Sequence, residues 1–391
     1  MSHLAGNLFL TFLRTLAMRS ESNFWMKRMQ RMLQLVMISI TPLTPSPIHP
    51  MPTLVVRTID LTRETEWCTN ECAQGAKVAF AGDHTMVITF LHPETDSNGL
   101  ATDRKTFRAL AYNAETGELA AQLRWACCSH PITDTPQLIP VHNGGFLVRP
   151  ENGKVVRYSS DLKPLKETTF PGPPGGYWDL KNTPGGQLAF LVSGPGTREQ
   201  FSQTWIDVDT LEVVSTRKGL YNFRDPAAED AVAVLDWDKN PPFRRFIILE
   251  ERGKTGRLLT YGHTPCLFVT NDHLLSSDKA GFSVVNRSGE TLFTGDLTYA
   301  GRPTLWSDRS LSGNRFAILD FSRAIPLVEK RGFFDWNFTA KVYDMKSKDK
   351  IAEFKLGTQD ARTVSLALSP NGSRLAVLTD SKCDILELPQ P

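Results

Sequence analysis

A short polar turn followed by an apolar strand recurs along most of this chain, and that recurrence constrains the fold more than any other feature. The pattern appears as Ala81-Gly82-Asp83-His84 before Met86–Phe90 and His142-Asn143-Gly144-Gly145 before Phe146–Val148. It returns as Pro184-Gly185-Gly186 before Leu188–Val192 and Ala228-Glu229-Asp230 before Ala231–Leu235. Asn271-Asp272 before Leu274-Leu275, Ser312-Gly313-Asn314 before Phe316–Leu319, and Pro370-Asn371-Gly372 before Leu375–Leu378 complete the series. Anchored at residues 82, 143, 185, 229, 271, 313 and 371, the spacings are 61, 42, 44, 42, 42 and 58. A period near 42 residues fits a unit of four short strands that cannot bury its own faces and must stack on its neighbours.

A second feature follows each anchor at a distance. Tyr112–Leu119, Val284–Leu292 and Val342–Ile351 each read as strand, tight turn, strand, with Asn113, Asn286 or Asp344 leading into the turn. A short polar side chain there caps the turn locally, and Gly117 or Gly289 supplies a positive φ. These are outer hairpins. Seven anchors therefore predict an all-β fold, a seven-bladed β-propeller of four-stranded antiparallel blades. Two packed β-sandwiches would explain the short strands but not the regular period. The last unit stops one strand short, after Asp384–Leu388, while Leu54–Leu61 is a strand with no unit of its own. Pairing them closes the ring with an N-terminal strand and removes an exposed edge. The division is 1–52 as an N-terminal signal-like or disordered segment and 53–391 as one propeller domain.

At this point the chain resembles the WD-repeat and YVTN-type propellers, above all in Val364–Val377. The resemblance in strand pattern spans about residues 54–391. The Gly-His and Trp-Asp dipeptides of WD repeats are absent, with Tyr343-Asp344 the nearest approach. The resemblance implies a fold and carries over no catalytic residue.

The segment before the repeats has its own pattern. Lys27, Arg28 and Arg31 follow Met26 and precede the apolar run Leu33–Ile40, after which a Pro-rich stretch extends from Pro42 to Pro52. A basic region before a short apolar one is the layout of a secretory signal starting at Met26, although no small-x-small cleavage pattern follows it. A secreted or periplasmic protein is the expectation; a disordered or membrane-associated arm is the alternative. Neither this run nor the apolar cluster Leu8–Leu13 reaches the ~18 residues of a spanning helix, so no transmembrane helix is expected.

The 44 basic and 42 acidic residues nearly cancel, which argues against a nucleic-acid partner, since that needs a concentrated basic face. The expected ligand is a protein or a small molecule, bound by a monomer. With strands lettered a to d from the axis outward, turns a–b and c–d share one face and connections b–c and d–a the other. The insertions His92–Thr106, Ser193–Gln203, Asp236–Arg245 and Phe321–Phe338 all fall in b–c connections. Insertions gathered on one face of a repeat fold point to a binding face, with neutral drift in solvated loops as the alternative. Candidate ligand-binding residues on that face are Arg224, Arg302 and Arg362, each in a d–a connection, with Trp178, Trp237 and Trp336. The arginines would hold an anion, or else pair with Asp225 or Asp308 or solvate the rim. The tryptophans would anchor a partner, or else wedge between blades.

Four of the six cysteines, Cys68, Cys72, Cys127 and Cys128, fall in the d–a connections before the first and second blades. In an exported protein a disulfide between those connections is expected. A metal site that includes His130 and unpaired thiols are the other readings, the metal being weak because adjacent cysteines do not easily both ligate. Cys266 and Cys383 sit in apolar strands as small core residues. No nucleophile elbow, phosphate loop, zinc-protease or dinucleotide motif is present, so no cofactor and no metal are assigned. The leading function is a ligand- or protein-binding module. A propeller-type lactonase- or lyase-like hydrolytic activity at the channel mouth is the alternative.

Overall fold

The computed structural model describes residues 56–61, 76–95, 97–98, 101–127, 137–151, 153–172, 176–194, 201–219, 225–236, 246–252, 254, 256–261, 264–277, 281–298, 306–323, 335–360, 364–379 and 382–390, some strand-end residues by backbone alone. Within them the chain forms seven antiparallel sheets. Strand β1 is Val56–Asp60. The first sheet is β2 (Lys77–Phe80), β3 (Thr85–Thr95), β4 (Ala101–Asn113) and β5 (Leu119–Cys127). The second is β6 (Gln137–Pro140), β7 (Phe146–Glu151), β8 (Lys154–Tyr158) and β9 (Pro164–Thr169). The third is β10 (Tyr177–Asn182), β11 (Leu188–Gly194), β12 (Phe201–Asp207) and β13 (Val213–Gly219). The fourth holds β14 (Ala231–Asp236), β15 (Phe246–Glu251) and β16 (Arg257–Tyr261). The fifth is β17 (Thr264–Thr270), β18 (His273–Ser277), β19 (Gly281–Asn286) and β20 (Thr291–Asp296). The sixth is β21 (Trp306–Arg309), β22 (Arg315–Arg323), β23 (Asp335–Asp344) and β24 (Lys350–Asp360). The seventh is β25 (Ser365–Leu368), β26 (Arg374–Leu378) and β27 (Lys382–Glu387), with β1 beside β27 from Val56 opposite Leu386 to Asp60 opposite Lys382.

The ring follows from where the apolar side chains go. Each strand alternates its side chains between two faces, and here both faces of a sheet are covered by neighbouring sheets. Seven buried clusters result, one at each junction between consecutive sheets. Phe146, Val148 and Tyr158 of the second sheet meet Val87, Ala109 and Ala111 of the first. Leu366 and Leu386 of the seventh meet Leu319 and Phe338 of the sixth. The last junction brings Ala376, Cys383 and Ile385 against Phe80, Met86 and Leu110, with Ile59 and Leu61 in the same cluster. Inner strands also touch in sequence, β2 on β6, β6 on β10, β17 on β21 and β21 on β25, and β25 returns to β2.

Among the described residues the fourth sheet has three strands. Where its inner strand would run, a single bridge joins Ala227 to Val232, and the Ala233 N–H donates to Pro226 O. Pro226 has no N–H to give a ladder.

The turns are built as their residues require. The Asn113, Asp207, Asn286 and Asp344 side chains each accept from backbone N–H groups two to four residues on. In the a–b turns Gly145 has a φ of +83°, and a Cβ there would overlap the Tyr158 carbonyl.

Candidate functional site

The two faces of the ring differ in construction. On the face of the a–b and c–d turns, arginines hold neighbouring turns by their carbonyls. Arg315 donates from Nη1 to Gly372 O at 2.7 Å and from Nη2 to Pro389 O at 2.6 Å. Arg374 donates from Nη1 to Asp83 O at 2.6 Å and from Nη2 to Glu115 at 3.0 Å. Arg287 meets Asp230 at 2.5 Å and donates from Nε to Asn271 O at 2.8 Å. Two Arg374 and His84 contacts hold the exposed Glu115 carboxyl below the usual carboxylate range. The polar capacity of this face is directed to its own turns.

On the opposite face, strands expected to end early continue outward. Pairing of β3 with β4 runs to Thr95 opposite Ala101, and pairing of β4 with β5 runs to Lys105 opposite Cys127. Pairing of β22 with β23 runs to Arg323 opposite Trp336, and pairing of β23 with β24 reaches Asp335 opposite Asp360. The described ends of the two longest insertions are therefore paired strand, with a third strand alongside. Backbone pairing across three strands stiffens such a projection where two strands alone would be marginal.

Between the faces, inner strands enclose an axial cavity of about 680 Å³, lined among others by Lys77, Ala79, Leu138, Pro140, Ser365 and Asp308. Arg309 crosses the axis on the side of the tight turns, donating from Nη2 to Asn182 O at 2.9 Å. Burial lowers the Arg309 pKa to about 10 and raises that of Asp308 above the usual carboxylate range. Asp308 is positioned by the Leu368 N–H, which donates to its Oδ2 at 2.8 Å. Lys77 is exposed in the cavity, and its ammonium has no ion pair or hydrogen bond among the described residues.

A buried polar cluster joins the inner strands of the second and third sheets to the segment that enters the fourth. Gln137 donates from Nε2 to Asp179 at 2.6 Å and accepts at Oε1 from Arg149 Nε at 3.1 Å and from the Leu180 N–H at 2.7 Å. Lys181 lies 3.3 Å from Asp179 and donates to Asp225 O at 2.8 Å. Arg149, Asp179 and Asp225 are each nearly inaccessible. Burial and the nearby Asp179 carboxylate push the Tyr177 phenol far up.

Of the residues marked from the sequence, Trp178 is 3 % exposed and packs with Leu180, Ile139 and Phe170 at the junction of the second and third sheets. Gly172 leaves the space its indole occupies, since a Cβ there would overlap the ring. Trp336 falls in β23 opposite Arg323 by its backbone. Arg224, Arg302, Arg362 and Trp237 lie outside the described residues, as do Cys68, Cys72, Cys128, His130 and the Cys127 side chain. Cys266 and Cys383 are free thiols, Cys266 partly exposed in the cavity wall and Cys383 buried. Sequence reasoning missed Lys77, Asp308, Asp179 and Arg149. The available signal for Lys77, Asp308 and Asp179 was position, each being a charge inside an inner strand immediately preceding an anchor turn, whereas Arg149 lies on the strand that follows one.

No family model and no curated protein matches the chain. Among solved structures it is similar to a crystal structure of RRP9 WD40 repeats, at 10 % identity and a TM-score of 0.50, covering 85 % of this chain and 97 % of that one. It is also similar to a crystal structure of the C-terminal WD40 domain of Sif2, at 14 % identity and a TM-score of 0.43, covering 80 % and 95 %. The assignment rests on the first of these and on the ring of seven sheets. In its fold, the chain is a seven-bladed β-propeller like those of WD40 repeats.

Proposed function

We propose that this propeller is a non-catalytic protein-binding module whose partner docks on the face of the b–c and d–a connections. The observation that carries the reading is the extension of paired strands, three abreast, toward that face in both the first and the sixth sheets. Rigid projections bind at a lower ordering cost than free loops. The opposite face spends its arginines on its own turn carbonyls, which leaves it less to offer. A hydrolytic site at the channel mouth is not favoured, because the inner carboxylates are already engaged. Asp179 is held by Gln137 and Lys181, and Asp308 by the Leu368 N–H.

The test replaces 92–106 and 321–338 separately by tight turns and compares quantitative co-purification from the native host. Loss of the same partner from both trimmed proteins, with retention by a Glu115→Gln variant on the other face, supports the reading. Equal recovery by all three refutes it.

Export belongs to the same proposal, supported by the basic-then-apolar run after Met26 and by the cysteines before the first two blades. N-terminal sequencing of native protein tests it, and an intact Met1 or Met26 on a cytoplasmic product refutes it. Peptide mapping without reduction tests a bridge from Cys68 or Cys72 to Cys127 or Cys128.

A further inference from the structure

The axial cavity carries two opposite charges that do not neutralise each other. Lys77 opens β2, Asp308 is the third residue of β21, and β25 packs against both strands. Both residues line the cavity, and the Lys77 ammonium makes no ion pair among the described residues. Lys77 is exposed and Asp308 keeps acceptor capacity beyond the one Leu368 N–H donated to its Oδ2, so two charges of opposite sign on different inner strands face one cavity. Lys77 lies toward the elaborated face and Asp308 toward the end that Arg309 bars. Between them the lining is Ala79, Leu138 and Pro140, with the Ser365 hydroxyl, whose oxygen accepts from the Val78 N–H and whose proton remains available. The volume lies within the range of about 300–1,000 Å³ usual for small-molecule sites.

We propose that this cavity binds a small zwitterion, its carboxylate against Lys77 and its ammonium against Asp308, with a short apolar linker along Leu138 and Pro140. The Leu368 N–H fixes one carboxylate oxygen of Asp308, so the acceptor is already oriented for an incoming cation. Burial raises the proton affinity of Asp308, and a positively charged ligand offsets that by stabilising the ionised form. The anionic end receives the Lys77 ammonium, with the Ser365 hydroxyl on the same wall. The site is independent of the protein-docking face.

Isothermal titration of the full chain tests this with the linear ω-amino acids from β-alanine to 6-aminohexanoate, and with pentanoate and pentylammonium as single-charge controls. One member of the series is expected to bind about tenfold more tightly than either control, as one added charge contact allows. Lys77→Gln should reduce that zwitterion to the affinity of pentylammonium, and Asp308→Asn should reduce it to that of pentanoate. Lys77 is exposed, so its variant keeps the fold if Asp308→Asn does not. Binding unchanged in Lys77→Gln, no heat with any zwitterion, or controls binding as tightly as the series overturns the proposal. The variants with trimmed hairpins should bind the same zwitterion undiminished.

Discussion

Trp205 offers the sharpest test of how the blades are held together. Its side chain is fully buried at the junction of the third and fourth sheets. The indole Nε1 donates to Ala228 O at 2.8 Å across that junction. The ring lies 4.9 Å from Phe190 and has two guanidinium groups over it, Arg252 at 5.2 Å and Arg217 at 5.7 Å. Truncating a buried Trp to Ala costs about 3–5 kcal/mol in lost transfer energy and cavity. Leaving the Ala228 carbonyl without its donor adds about 1 kcal/mol. Trp205→Ala should therefore lose about 5 kcal/mol, a large part of the roughly 5–15 kcal/mol that holds a typical domain. Trp205→Phe keeps a ring beneath the two arginines and loses mainly the N–H, so about 1–2 kcal/mol is expected. Urea unfolding followed by far-UV circular dichroism measures both. A loss under about 1 kcal/mol for Trp205→Ala, or equal losses for the two variants, would refute the junction as the source of stability.

Three further outcomes are expected. Asp320 is 3 % exposed and accepts from Lys341 at 2.5 Å and from Thr298, so Lys341→Met should cost about 2–3 kcal/mol in thermal or urea unfolding. Gly145→Ala should cost at least about 2 kcal/mol by the same measurement, since φ is +83° and the Cβ meets the Tyr158 carbonyl. The Arg287 contact holds the Asp230 carboxyl below its ordinary pKa, so its contribution is present above about pH 4 and fades as pH falls through the folded value; Arg287→Gln should cost about 0.5–1 kcal/mol at pH 7, and the gap from the parent should narrow toward pH 3.

The ring was readable because its cause is periodic. Polar turns such as His142–Gly145 must recur wherever an inner strand reverses, and the apolar strands between must face two neighbours. The single bridge at Ala227 was not readable, because the spacing counts anchors and is blind to the missing N–H of Pro226. Site residues were harder for a related reason. Trp178 was grouped with aromatics of the elaborated face by its place near a d–a connection. Alternation along β10 sends it inward with Leu180, while Tyr177, Asp179 and Lys181 share the other side. Lys77 and Asp308 belong to different repeats and meet one cavity only once the circle exists. Nothing in either local sequence announces that. Dinucleotide patterns also understate the likeness in fold: Tyr343-Asp344 places an aromatic on Phe316 at 5.2 Å and a turn cap beside it, a structural role that does not require the letters of the usual motif.

The junction between the last sheet and the first has a temporal meaning. Arg374 and Asp83 are separated by 291 positions, and Asn371 and Asp83 by 288. At about 5–20 residues per second a ribosome needs roughly 15–60 s to make the intervening chain. Bringing such distant ends together from a flexible chain costs about 5 kcal/mol of closure entropy. Every other junction joins segments made in succession and can form as they emerge. The first sheet must therefore wait with one flank unsealed until the last has been synthesised, and during that interval Met86, Phe80 and Leu110 lack the surface that later covers them. A nascent chain of this design stays open to whatever factor receives it until its seventh sheet has been made.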